Sequence, residues 1–147
     1  MTLSDTFKSL ELHFSRADKA VQEIGRMKLN RGSFADFETV KTIDSFIYRF
    51  SKIQDYMGEK VFRVVLDILG DYKRSMSFRD VLNKLEQLEF IESVQQWMNF
   101  REIRNALTHE YPDNEDEIIE GIQLALDAYV EIKDIYTGIK VRFYDEI

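Results

Sequence analysis

Apolar side chains recur every three or four residues along almost all of this 147-residue chain, which contains one proline and six glycines. That period places the apolar groups on one face of an α-helix, whereas a half-buried strand would alternate apolar and polar residues. The chain is therefore predicted to be all-α. Short connections between antiparallel amphipathic helices favour an up-down bundle of four to five helices, formed as a single domain over residues 1–147.

Polar residues and glycine divide the first half of the chain into two predicted helices. The first helix is predicted over residues 4–29. Ser33 and Asp36 resemble a capping pair for a second long helix, which Gly70 should stop. Gly58 is the candidate position for a kink within it.

The second half contains three further predicted helices. Ser77 caps a helix over residues 78–88. The next begins near residue 92 or 93 and ends near residue 109 or 110, because Pro112 opposes its continuation. Asn114 begins a last long helix, whose acidic first turn suits the helix dipole.

One apolar stripe on each long helix is predicted to form the core, and Trp97 is predicted to fill the bundle beside the motif described below. The stripes comprise Leu10, Phe14, Ala17, Val21 and Ile24, then Phe37, Val40, Ile43, Ile47, Phe50 and Ile53, and finally Ile118, Ile122, Ala125, Leu126, Tyr129, Ile132 and Ile135.

Composition narrows the class of protein. With 44% hydrophobic residues the chain can bury a core without crosslinks. The absence of cysteine removes disulfides, thiol nucleophiles and thiolate metal sites, and it fits a reducing cytosol. The amino terminus lacks a signal-peptide pattern, and no apolar run approaches the ~20 residues needed to span a bilayer. A soluble cytoplasmic protein without a membrane partner is expected.

The formal net charge is −7, from 27 acidic and 20 basic residues. This balance argues against a protein that grips duplex DNA through a broad basic face. A site for single-stranded RNA needs only a few local cations. Duplex DNA is therefore not an expected partner, whereas RNA remains one.

The most informative segment is residues 104–111, with the sequence RNALTHEY at the end of a predicted helix. It brings a guanidinium, an imidazole and a phenol within eight residues. On an ideal helix the apolar residues of this region face roughly away from one polar stripe. That stripe comprises Arg101, Arg104, Asn105 and Thr108.

These groups suit metal-free cleavage of RNA, in which the 2′-hydroxyl attacks the neighbouring phosphate. His109 fits the proton transfers because an imidazole has an unperturbed pKa of about 6.5. Arg104 would clamp the phosphate, and Asn105 would orient either group. Tyr111 would hydrogen-bond phosphate or stack on a base. This chemistry needs no cofactor and no metal.

Arg104 and His109 do not stack on a perfect helix, where they are rotated by about 140° and separated by roughly 7.5 Å along the axis. Either the last turn unwinds before Pro112 and brings His109 round, or the working site joins residues from two copies of the protein.

Other residues admit two interpretations. His13, with Arg16 nearby, is either an RNA contact or a residue at the edge of the core or in solvent, and the second interpretation is favoured. The acids after His109 match no HExxH or EF-hand pattern, and acids at a helix N-terminus explain them, so no metal site is expected. They are Asp113, Glu115, Asp116 and Glu117.

Residues 104–111 also resemble the R-x4-H-x-Y motif of the HepT toxins, which belong to the HEPN superfamily of helical bundles with an R-x(4–6)-H motif. Residues 46–58 are similar to the second-helix region of such proteins. Within that region three polar residues are candidates for lining the cleft. They are Arg49, Gln54 and Asp55.

The resemblance implies a metal-independent endoribonuclease toxin that acts as a homodimer, with the motifs of two subunits facing one cleft. It implies that Arg104 and His109 catalyse RNA cleavage. It further implies that a partner, a minimal nucleotidyltransferase (MNT) antitoxin, attaches AMP to Tyr111. Such a modification would place a negative phosphodiester and a bulky nucleoside beside the cation that holds RNA.

Two other functions compete with this expectation. In the second interpretation the protein is a non-catalytic accessory subunit of a minimal nucleotidyltransferase, and the Arg-His pair binds a nucleotide or the partner. The acidic net charge favours this alternative. A purely structural bundle is the third interpretation, in which Arg and His near a helix C-terminus only satisfy terminal carbonyls.

Overall fold

A computed structural model of the chain describes residues 2–108 and 114–143. Within these ranges it contains helices and no strand, so the predicted all-α class is confirmed. The helices are α1 (Leu3–Gly25), α2 (Phe37–Tyr56), α3 (Phe62–Ile68), α4 (Phe78–Gln87), α5 (Val94–Thr108) and α6 (Glu115–Arg142). None of these described helices is both long enough and apolar enough to cross a membrane.

Four helices, α1, α2, α5 and α6, form an up-down bundle. His13 in the middle of α1 contacts Arg49, and Glu23 near the end of α1 contacts the earlier α2 residue Thr42, so these two helices are antiparallel. Gln54 near the end of α2 contacts Phe100, and Phe62 at the start of α3 contacts the earlier α5 residue Trp97, so this path runs antiparallel to α5. Gln96 and Leu107 of α5 lie near Glu131 and Gly121 of α6, so these two helices are antiparallel as well. The short helix α4 packs against α3 and α5. The bundle architecture predicted from the sequence is confirmed.

Polar side chains join α1 to α6, since two carboxylates of α1 each accept hydrogen bonds from a tyrosine and a lysine of α6. Glu11 accepts from Tyr136 and Lys140, both at 2.7 Å, and Asp18 accepts from Tyr129 at 2.6 Å and from Lys133 at 2.7 Å. The bond from Lys140, followed by that from Tyr136, lowers the pKa of Glu11. Burial, reinforced by the acidic partners, raises the pKa of both tyrosines, which therefore stay protonated as donors.

Most of the predicted core is buried, including every α1 stripe residue except the partly buried Val21. Phe37 was wrongly assigned to the core, because its side chain is 71% exposed. It occupies the first position of α2, where the helix begins on the surface. Trp97 is 1% exposed and packs against Phe62 with ring centroids 4.7 Å apart, so its predicted burial is confirmed.

Two boundaries differ from the prediction. The first helix ends at Gly25, four residues earlier than expected. Ser33 does not cap α2, because it begins a 3₁₀ turn (Ser33–Ala35) and its hydroxyl accepts a hydrogen bond from the Asn30 amide. Asp36 is the N-cap and accepts from the amide of Thr39. The two residues predicted as one capping pair therefore serve two consecutive turns.

The glycines and the remaining caps agree better with the sequence. The helical path continues through Gly58 as a π-helical turn (Met57–Val61) that joins α2 to α3, instead of the sharp kink considered above. Gly70, with φ of 77°, follows the end of α3 as predicted. Ser77 caps α4 and Asn114 caps α6. The predicted end of the fourth helix at residues 109–110 lies outside the described residues.

The hydroxyl of Tyr129 donates to Asp18 and also contacts the Phe14 carbonyl at 3.3 Å. Tyr129→Phe is expected to lower the free energy of unfolding by about 1 kcal/mol, because a buried hydrogen bond is lost while Asp18 keeps Lys133. Urea denaturation at neutral pH measures the loss. Tyr48→Phe is the matched control, since Tyr48 is half exposed and its change should stay below about 0.5 kcal/mol. Equal losses would contradict the role given to Tyr129.

Candidate functional site

Arg104 lies near the end of α5, and its guanidinium is directed toward α2. Its Nη2 donates to Oδ1 of Asp55 at 2.6 Å, and its Nη1 donates to Oδ1 of Asn105 at 3.0 Å. The Arg104 side chain is 22% exposed. Two charge-directed hydrogen bonds hold a planar guanidinium in a defined orientation, which a freely solvated arginine would not have.

Beside this ion pair, two buried polar atoms have no hydrogen-bond partner among the described residues. They are Nε of Arg104 and Oε1 of Gln54. The Gln54 side chain is buried, and its Nε2 donates to the carbonyl of Phe100 at 2.9 Å. Buried polar atoms in folded proteins nearly always find a partner, so an unpaired donor and an unpaired acceptor on two residues that line one cavity draw attention to this region.

A cavity of about 190 Å³ opens next to these atoms, where the π-helical turn, α4 and α5 meet. A π turn adds one residue to the helical path, and such turns occur frequently at functional sites. A Cβ on Gly58 would lie 3.4 Å from the ring of Phe78, so the absence of a side chain there leaves room in the cavity. The lining residues are Gln54, Asp55, Gly58, Glu59, Arg63, Phe78, Trp97, Arg101 and Arg104.

The charges around the cavity differ from those of the whole chain. Three guanidinium groups and two carboxylates line it, although the chain carries a formal charge of −7. The guanidinium of Arg101 lies over the ring of Phe78, 4.9 Å from its centroid. Charges in a partly enclosed cavity interact more strongly than charges in open solvent. The cavity can therefore attract an anionic or hydrogen-bonding ligand locally.

The structure brings together part of the predicted motif. Arg101 and Arg104 line the cavity and Asn105 contacts Arg104, but the hydroxyl of Thr108 donates to the Arg104 carbonyl at 2.9 Å and serves the helix itself. Positions 109 and 111, predicted to carry the imidazole and the phenol, lie outside the described residues.

The second-helix segment contributes two of its three candidate residues. Gln54 and Asp55 line the cavity, whereas Arg49 lies toward α1, with its Nη1 2.9 Å from Nδ1 of His13. Sequence reasoning missed Glu59, Arg63 and Phe78. The first two continue from Asp55 at four-residue spacing, which on a helix forms a polar stripe, and this signal was present in the sequence.

His13 is paired with Arg49 at the edge of the core, as the favoured interpretation of the sequence expected. Burial lowers the pKa of His13, and the nearby positive charges of Arg49, Lys52 and Arg16 lower it further. Because an arginine can only donate, Nδ1 of the imidazole accepts this hydrogen bond. The contact with Arg49 explains the position of His13, and His13 does not line the cavity.

Among the acids near the start of α6, Asp116 has a structural contact. Asp116 forms an ion pair with Arg31 at 2.7 Å, and the hydrogen bond from that arginine lowers the pKa of Asp116. Among the residues that the structure describes, no group of three or more histidine, aspartate or glutamate side chains is arranged to hold a metal ion.

Comparison of the chain with protein-family models, with curated proteins and with solved structures found no match. The resemblance to the HEPN superfamily therefore rests on residues 46–58 and 104–111 and on the helical pattern.

A double-mutant cycle tests whether Asp55 holds Arg104. We expect Arg104→Gln and Asp55→Asn to be coupled by about 0.5–1 kcal/mol in free energy of unfolding, because both side chains are partly exposed and solvent weakens the pair. Urea denaturation of the wild type, both single variants and the double variant measures the coupling.

The Arg31–Asp116 pair provides a matched control cycle, since its N–O distance is 2.7 Å but its side chains are 80% and 54% exposed. The Arg31→Gln and Asp116→Asn cycle should show the weaker coupling. A coupling at Arg104 no larger than this control would contradict the anchoring role of Asp55.

Proposed function

We propose that this protein is a metal-independent endoribonuclease toxin of a HEPN/MNT toxin–antitoxin pair. The observation that supports the proposal most directly is the fixed guanidinium of Arg104, which lines a cavity five residues before His109. An oriented arginine at a cavity edge suits recognition of a phosphodiester.

In the proposed reaction, the 2′-oxygen of RNA bonds to the adjacent phosphorus while the bond from phosphorus to the 5′-oxygen breaks. In the cleft shared by two copies, His109 of one copy takes the 2′-hydroxyl proton, His109 of the other supplies a proton to the leaving 5′-oxygen, and Arg104 stabilises the negative oxygens. Asn105 orients Arg104. The products carry 2′,3′-cyclic phosphate and 5′-hydroxyl ends.

The proposed site is shared by two subunits. Because α5 is helical through Thr108, Arg104 and the end of the helix keep regular helical geometry. Any unwinding that turns His109 toward Arg104 would have to occur after Thr108. This leaves little chain for the rearrangement and favours a homodimer in which each copy brings its motif to one cleft.

The proposed partner is a minimal nucleotidyltransferase antitoxin that transfers AMP to Tyr111. Tyr111 stands seven residues after Arg104. An added nucleotide there would bring a negative phosphodiester and a bulky nucleoside beside the cation that is proposed to hold RNA. Modified protein would therefore hold RNA less well, which would neutralise the toxin.

A second candidate function is that of a non-catalytic accessory subunit of the nucleotidyltransferase. Its support is the ion pair between Arg104 and Asp55, because a carboxylate 2.6 Å from the guanidinium opposes an approaching phosphate. The net charge of −7 acts in the same direction. In that case the cavity would bind a nucleotide or the partner without cleavage.

Cleavage of a labelled single-stranded RNA in EDTA tests the reaction. Unmodified wild-type protein should leave 2′,3′-cyclic phosphate ends, while His109→Ala and Arg104→Ala should each lose roughly a hundredfold or more in rate. Arg26→Ala, which changes an exposed arginine at the end of α1, should cleave like the wild type. No cleavage by protein whose Tyr111 is unmodified by mass spectrometry would favour the accessory-subunit function.

Light scattering at micromolar protein concentration tests the shared site separately. We expect twice the mass of one chain, because two motifs must meet to pair Arg104 with His109. A monomer that still cleaves RNA would overturn the shared site and would require rearrangement after Thr108.

A further inference from the structure

The cavity beside Arg104 combines aromatic and ionic lining in a small volume. The rings of Phe78 and Trp97 border it, and Arg101 stacks on Phe78. Aromatic lining with a few fixed polar groups is typical of sites that bind flat, partly polar molecules. The lining of the cavity therefore suits a planar heterocycle better than a flexible aliphatic ligand.

Gln54 adds an acceptor that the described protein leaves unused. Gln54 is 3% exposed, and its Nε2 donates to the Phe100 carbonyl. Flipping the side-chain amide would place Oε1 against that carbonyl, where it could not accept a hydrogen bond, so Oε1 stays without a partner among the described residues. The neighbouring Nε of Arg104 is an unused donor. Both atoms are themselves buried, so the polar groups that a ligand meets first are the carboxylates and guanidinium groups that line the cavity.

Guanine matches this combination most closely among the RNA bases. One edge of guanine presents two adjacent donors, N1–H and the N2 amino group, which a carboxylate can accept together. The next edge presents the acceptors O6 and N7, which arginine recognises in a bidentate manner. Glu59 and Arg63 both line the cavity, and neither forms an ion pair with a described residue.

We propose that this cavity is a guanine-binding pocket, in which Glu59 accepts from the donor edge and Arg63 or Arg101 donates to O6 and N7. In this proposal Arg104, which lines the same cavity, binds the phosphate of the guanosine nucleotide. The part of the proposal that makes this guanine a base of the RNA substrate rests on the proposed ribonuclease function. The affinity of the pocket for guanine is independent of that function.

Gly58 offers a variant that narrows the pocket and preserves the fold. An added Cβ would stand 3.4 Å from Phe78 and 3.9 Å from Nε1 of Trp97, which are ordinary contact distances. Alanine also favours helical backbone. Gly138→Ala is the matched control, because a Cβ at that α6 position meets nothing within 4 Å and the residue does not line the pocket.

Trp97, the only tryptophan of the chain, reports binding through its fluorescence because it lines the pocket. Guanosine 3′-monophosphate should change the emission of unmodified wild-type protein in a saturable manner. Adenosine, cytidine and uridine 3′-monophosphates should bind roughly tenfold or more weakly, as expected when a bidentate base contact is lost. Isothermal titration calorimetry provides the second measurement of affinity.

Gly58→Ala should weaken binding of the guanosine nucleotide, and Gly138→Ala should not. Glu59→Gln should reduce the preference for guanine roughly tenfold, because the amide can accept only through one oxygen and its NH₂ faces the donors of the base. Circular dichroism and thermal melting should show all three variants folded. Equal binding of the four nucleotides, or no binding by either method, would overturn the proposal.

Mapping cleavage in an RNA of mixed sequence distinguishes a substrate base from a free nucleotide. Cuts next to guanine that lose this preference in Glu59→Gln support the RNA-base assignment. Guanine-selective binding without cleavage would contradict the ribonuclease function and would still support the guanine-binding pocket. Cleavage without a guanine preference, together with no nucleotide binding, would overturn the pocket and leave the ribonuclease function in place.

Discussion

The ion pair between Arg104 and Asp55 is the interaction on which the candidate site depends. An arginine side chain has many rotamers, and its guanidinium presents donors in a plane, so its usefulness depends on what fixes that plane. Here the fixing group comes from α2, at an N–O distance of 2.6 Å. The packing of α2 against α5 therefore determines where the guanidinium points, and the site inherits its geometry from the bundle.

The π-helical turn supplies the space beside that pair. It adds a residue to the path between α2 and α3 and places Gly58 opposite Phe78 and Trp97, where a larger side chain would occupy the cavity. Gln54, one turn earlier, is held by the Phe100 carbonyl. The same interface that buries Trp97 in the core thus leaves a polar cavity at its edge.

Periodicity and capping predicted the helical class, the burial of most stripe residues, and the caps at Ser77 and Asn114, because these depend on local chemistry. They failed where two neighbouring residues can each cap a turn, as at Ser33, which begins a 3₁₀ turn, and Asp36, which caps α2. They also placed Phe37 in the core from its spacing alone. The partner of Arg104 follows from tertiary contact, since Asp55 lies 49 residues away in the chain. Only the likeness of residues 46–58 to a second-helix segment pointed toward it.

Net charge was the weakest guide to the site because it sums over groups that act at different places. Much of the acidity lies elsewhere: Glu11 and Asp18 are neutralised by lysines of α6, and a separate groove is lined by Glu86, Glu89, Glu92, Glu131 and Asp134. At physiological ionic strength charges are screened over about 8 Å. An incoming phosphate therefore responds mainly to nearby groups, and at this cavity those are three arginines and two carboxylates, so positive charge is in excess. An acidic chain and a local anion site are compatible for this reason.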